Sequence, residues 1–152
     1  MPLLNYTTKI PPHQSIGEIY AVLAAHDAER ITTSYKKING KQRPTGISFG
    51  LQTPGGYYEY ELPANVAGVL EVMTRQWKEG KVRTRPDYDH AERVAWRILK
   101  DWIEAQSAII EAGMATLHTV MLPYQIEEKS GRPLHELIAE RWQALPPGPE
   151  KI

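Results

Sequence analysis

Apolar positions along the chain switch between a period near two and a period near 3.6, and each switch marks a new element. Leu3 to Lys9 alternates weakly and is rich in Tyr and Thr, which predicts a short N-terminal strand that Pro11-Pro12 terminates. Ile16, Ile19, Tyr20 and Leu23 then recur at helical spacing. Ser15 and Glu18 have the spacing of a capping box, so a helix is predicted from Ser15 to about His26. Alternation returns in three segments: Arg30 to Lys36, Gly46 to Gln52, and Tyr57 to Leu62. Turn signals at Asn39-Gly40 and Pro54-Gly55-Gly56 separate them, so an antiparallel sheet with one wet side is predicted. Phe49, Tyr58 and Tyr60 fall on its apolar side, leaving Tyr57 as the aromatic free to stack on a base.

After Pro63 the period lengthens again. Val66, Val69, Leu70, Met73 and Trp77 form a helical stripe closed by Gly80. Asp89 and Glu92 repeat the capping spacing, and from Asp89 to Tyr124 the apolar residues stay within an arc of roughly 140° at 100° per residue, which predicts one helix of about 34 residues and about 50 Å. A domain of this size is about 35 to 40 Å across. The excess length therefore points to a homodimer, with Trp102, Gln106, Ile109, Ile110, Gly113 and Leu117 at its interface. Pro123 limits this helix. Pro133 opens a last short one with Leu134, Leu137, Ile138 and Leu145 as its inner face. The fold class is thus α+β: a core over 1–80, a basic connector over 81–88, long and C-terminal helices over 89–145, and a tail over 146–152.

Charge changes this picture more than composition does. The chain carries 18 Lys and Arg against 18 Asp and Glu, but unevenly. Residues 1–74 hold six of each, 75–100 hold eight cations against four acids, and 101–152 hold four cations against eight acids. Lys81, Arg83 and Arg85 of the connector continue into Arg93, Arg97 and Lys100 on one helical face with Trp96 at its border. Cations beside an aromatic suit phosphate and base, which makes these seven residues the candidate nucleic-acid contacts. The competing reading is a solvated ion-pair face, because Asp89–Arg93, Arg97–Asp101 and Lys100–Glu104 are all spaced for intrahelical pairs.

Other chemistries find little support. With no cysteine, disulfides and thiolate chemistry are excluded. His135-Glu136 begins like a zinc-protease helix, but Ala139 stands where the second histidine ligand is needed. The glycines at 46, 50, 55 and 56 lack the Lys-Ser/Thr pair or helix start of a phosphate loop. No cofactor or metal is called for, and a histidine assembled in space is the one route left to an enzyme. No apolar run approaches the length of a membrane span, and Met1 to Lys9 lacks the pattern of a secretory signal, so a cytoplasmic protein is expected.

Two resemblances add expectations. The order helix, three strands, helix across residues 15 to 80 resembles the topology of double-stranded RNA-binding domains. There, however, Pro63-Ala64-Asn65-Val66 replaces the lysine-rich helix start that contacts phosphate, so the function is not carried over. Leu4-Asn5-Tyr6-Thr7-Thr8-Lys9-Ile10, Leu62-Pro63-Ala64-Asn65, the run from Glu92 to Trp102, Glu111-Ala112-Gly113-Met114 and Leu122-Pro123-Tyr124 look like a group of small bacteriophage and prophage proteins. That resemblance implies a phage product in the bacterial cytosol. Such proteins commonly handle nucleic acid, or inhibit or sequester a host protein or a small nucleotide signal as anti-defence.

Overall fold

The computed structural model describes residues 1–149. The first helix, α1 (Pro12–Ala25), begins two residues after Ile10, with Pro11 as its N-cap and Pro12 in its first turn. β1 (Glu29–Ile38), β2 (Lys41–Thr53) and β3 (Gly56–Pro63) follow as an antiparallel sheet in the order β1-β2-β3. Asn39 and Gly40, both at positive φ, form the tight β1–β2 turn. Pro44 is tolerated within the central strand because the register shifts between Ser34 and Tyr35, next to the Tyr35–Pro44 pair. α2 (Val66–Lys78) is capped by the Asn65 side chain, which accepts from the Gly68 amide.

α3 (Tyr88–Glu111) is the central helix, packed against both α1 and α2. α4 (Leu117–Val120), a 3-10 turn (Leu122–Tyr124) and α5 (Leu134–Ala144) complete the chain. The core joins one sheet face to the helices. Ile47, Phe49, Leu51, Tyr60 and Leu62 from the sheet meet Ile19 and Leu23 of α1, Met73 of α2, and Val94, Trp96 and Ile103 of α3. Between Leu122 and Pro133 the chain runs past β3, where the Ile126 amide donates to the Glu59 carbonyl.

The α+β architecture agrees with expectation, but four local predictions are corrected. Leu3 to Lys9 is not a strand. Asn5 sits at φ 64°, and the Tyr6 and Thr8 amides turn back to the Leu3 and Asn5 carbonyls. This segment lies as a strap across the helices: the Leu3 amide donates to Gln76 Oε1 at 3.1 Å, and Asn5 Nδ2 donates to Asp101 Oδ2 at 2.8 Å.

Neither capping box forms. Ser15 is buried inside α1, and Glu18 turns to α3. The N-cap of α3 is Asp87, whose Oδ1 accepts from the His90 amide at 2.8 Å, while Glu92 is buried against the sheet.

The long stripe is not one helix. α3 has 24 residues and stops where Gly113 takes φ 74°, a left-handed conformation that closes a helix. The stripe keeps its phase across the break because α4 returns Leu117 and Met121 to the same core. Finally, α5 buries less than expected. Leu134 and Leu137 are half-buried, whereas Ile138 and Leu145 are exposed and Trp142 is 71% exposed. No helix of the described residues is long and apolar enough to cross a membrane.

Candidate nucleic-acid interface

The strap, the connector 81–88 and the first turns of α3 enclose a groove of about 510 Å³, lined by Tyr6, Thr7, Lys9, Thr84, Arg85, Asp87, Asp89, His90 and Arg93. Its walls are pinned by polar contacts between segments far apart in sequence. His90 Nε2 donates to the Tyr6 carbonyl at 2.6 Å, Arg93 Nε donates to the Thr8 carbonyl at 3.4 Å, and the Tyr6 hydroxyl donates to the Thr84 carbonyl at 3.4 Å. The Tyr6 and His90 rings meet at 5.0 Å.

Both acids in the groove are committed elsewhere. Asp87 caps α3, and Asp89 binds Arg43 Nη1 at 2.5 Å, a hydrogen bond that holds the Asp89 carboxyl below the ordinary range. The cations are not so committed. Among the described residues, Lys9, Arg83, Arg85 and Arg93 form no ion pair. Arg85 instead lies over the Trp77 ring at 5.6 Å, an arrangement that leaves its N–H groups free to donate.

The seven predicted contacts therefore divide. Arg85 and Arg93 line the groove, and Arg83 is exposed on the connector two residues earlier. Lys81 is exposed but paired with Glu79 at 2.9 Å. Trp96 is a correction: it is fully buried at the centre of the core and offers no surface for stacking.

Arg97 and Lys100 belong to a cluster that ties α3 to α1. Arg97 Nη1 donates to Glu18 Oε2 at 2.7 Å and to Ser15 Oγ at 3.1 Å, and Lys100 pairs with Glu18, Asp101 and Glu104. Desolvation pushes the Glu18 carboxyl up, but hydrogen bonds from Arg97 and Gln14 and the charges of Arg97 and Lys100 outweigh it and hold the group below its ordinary value. Of the three intrahelical pairs read from spacing, only Lys100–Glu104 forms.

Tyr57 is also corrected as a stacking residue. Its hydroxyl is buried over Gly50, where a Cβ would meet it at 1.8 Å, and Arg30 lies over its ring at 5.5 Å. The residues assigned to a dimer face serve largely this chain's own packing. Trp102 meets Tyr124 edge-on at 5.9 Å, Ile110 packs on the core, Leu117 is buried, Gln106 and Ile109 are half-buried, and Gly113 is the exposed helix end. The shorter α3 removes the excess length from which a dimer was argued.

Of the nine lining residues only Arg85 and Arg93 are sequence candidates; among the seven others, Lys9 and His90 carry titratable nitrogen. Lys9 lies in a segment whose alternation predicts a strand, and His90 has no partner at a short spacing; only the strap's fold unites them with Arg93. One histidine does meet a nucleophile elsewhere, His26 Nε2 lying 2.8 Å from Ser107 Oγ. No carboxylate hydrogen-bonds the other ring nitrogen among the described residues, so the orienting third member of a catalytic triad is missing. Nor does any cluster of three or more acidic or histidine side chains that could hold a metal ion occur there.

The fold and groove define an α+β protein with a cationic cleft at the start of its central helix. Compared with known protein families, curated proteins and solved structures, the chain matches none.

Proposed function

We propose that this protein binds nucleic acid through the groove, with Lys9, Arg83, Arg85 and Arg93 contacting phosphate oxygens. The observation that carries the reading is the sorting of charges. On α3, Arg97 and Lys100 are paired with Glu18 at the α1–α3 seam, while Arg93 one turn earlier, and Lys9, Arg83 and Arg85 around it, have no ion pair among the described residues. A phosphate entering there gains charge-assisted hydrogen bonds without displacing a native ion pair. The Thr7 and Thr84 side chains on the lining supply neutral donors beside the cations. A bacteriophage origin and a bacterial cytosolic setting, both implied by the sequence resemblance, are part of this proposal.

Fluorescence anisotropy with labelled single- and double-stranded oligonucleotides at low salt tests it. Binding should weaken linearly in log–log form as salt rises, and charge reversal of Arg85 and Arg93 together should abolish it. Binding indifferent to that reversal, or no binding at low salt, refutes it. The groove's volume also favours a second reading, sequestration of one small nucleotide, since pockets of ~300–1,000 Å³ suit ligands of that size. Affinity that does not grow with oligonucleotide length is its signature.

A further inference from the structure

The balanced charge of residues 1–74 conceals a cluster. Four of their six cations, Lys36, Lys37, Lys41 and Arg43, sit within the β1–β2 hairpin around its Asn39-Gly40 turn. The register places Lys36 opposite Arg43 and Ile38 opposite Lys41, so Lys36, Lys41 and Arg43 share one face of the hairpin, while Lys37, opposite Gln42, lies on the other.

That shared face is the one that meets α3. Arg43 lies over the Tyr88 ring at 4.6 Å and bridges to Asp89 at 2.5 Å and Glu92 at 3.5 Å. The hairpin tip is thereby docked beside the groove, whose lining includes Asp89. The acids facing it are Asp89 and Glu92, both engaged by Arg43. Lys36 and Lys41 are exposed and without an ion pair among the described residues.

Resting on the nucleic-acid reading of the groove, we infer that Lys36 and Lys41 extend it into a continuous phosphate track that takes a single strand of several nucleotides. The track runs from Arg93 past the Asp89–Arg43 bridge to Lys41 at the hairpin tip, so more than one phosphate is needed to span it. Docking through Arg43 also gives the lysines a fixed base, which a free hairpin tip would lack.

The test is an anisotropy series with labelled oligothymidylates of 2, 4, 6, 8 and 12 nucleotides against the full chain. For the native protein, affinity should rise with length beyond two nucleotides and then flatten. K36E/K41E should keep the native melting curve, lose most of that gain with length, and lower the magnitude of the salt slope by about 1.4, the value for two phosphate contacts on a single strand. K37E, with its charge on the opposite face, should lower the slope less than either single reversal on the docked face. K36A/K41A should show the same pattern in weaker form.

If K36E/K41E binds like the native protein while R85E/R93E does not bind, the hairpin track is wrong and the groove reading survives. If R85E/R93E is without effect, the groove reading itself fails. A native protein that prefers duplex over single strand of equal length overturns the single-strand assignment. An affinity already maximal at two nucleotides overturns the track in favour of a mononucleotide site.

Discussion

Replacing Gly113 by alanine distinguishes two architectures by the sign of its effect. In an uninterrupted helix from Asp89 to Tyr124, the glycine would be an interior residue, and alanine would stabilise by about 0.5–1 kcal/mol. In the structure Gly113 stands at φ 74°, and a Cβ there meets nothing within 4 Å, so no collision contributes. What remains is the backbone cost of a left-handed L-residue, about 1–2 kcal/mol. The two cases thus differ by ~2 kcal/mol with opposite signs. Thermal unfolding followed by circular dichroism resolves this readily, since 1 kcal/mol moves the midpoint by about 2–4 °C in a chain of this size. The expected result is a Tm lower by roughly 2–8 °C, with native helix content. Gly113→Asn, which tolerates the left-handed region better, should recover part of the loss. An alanine variant melting above the native protein would refute the helix break and restore the 34-residue helix, with its overhang and the argument for a dimer.

Four further outcomes follow from the same contacts. Arg97→Ala should destabilise by about 1–2 kcal/mol in denaturant titration, because Glu18 loses its charge-assisted partner, yet leave oligonucleotide affinity close to native, whereas Arg93→Ala should weaken binding about fivefold with little loss of stability. The two acids around Arg43 should show opposite pH dependence. Hydrogen bonding to Arg43 lowers the Asp89 pKa, so its contribution is present above the unfolded value and lost as pH falls; Asp89→Asn should cost stability at pH 7 and progressively less below about pH 4. Burial raises the Glu92 pKa, so its protonated form favours folding below the unfolded value and that advantage is lost as pH rises; Tm of Glu92→Gln relative to native should therefore increase between about pH 4 and pH 7. Tyr57→Phe, which deletes a buried hydroxyl without a hydrogen-bond partner, should be neutral or slightly stabilising, while Gly50→Ala, driven into that ring, should cost about 1–3 kcal/mol by chemical denaturation.

Elements governed by local periodicity were legible in the sequence; ends and contacts governed by tertiary partners were not. The three strands and α2 follow directly from alternation and from the 3.6 period, because each buries one face on a common core. The strap defeated the same logic. Its Tyr and Thr favour a strand, but Asn5 at positive φ turns the segment, and its side chains and amides bond to α2 and α3 instead. The capping boxes failed for a related reason: Ser15 and Glu18 gain more from Arg97 across the helix interface than from the amides of an exposed first turn. Gly113 was visible as a glycine but not as a break, since phase alone does not reveal that the chain leaves the helix and returns to the same core.

For the candidate site, sequence proximity ranked the cations in the wrong order. Arg93, Arg97 and Lys100 share a helical face, yet that face is divided in space: its first turn opens on the cleft, and the next two are roofed by α1, which brings Glu18. A carboxylate from another element decides which cation remains available, and intrahelical spacing carries no information about it. The same rule works in reverse at the hairpin. Lys36 and Lys41 lie in a half of the chain where acids equal cations in number, but Glu29, Glu59 and Glu61 lie elsewhere on the sheet, away from its tip, and the two acids nearest the tip are engaged by Arg43. Net charge over a window measures composition; what a phosphate meets is the residue of charge left after native pairing, and that remainder is concentrated where the strap, connector, hairpin and start of α3 converge.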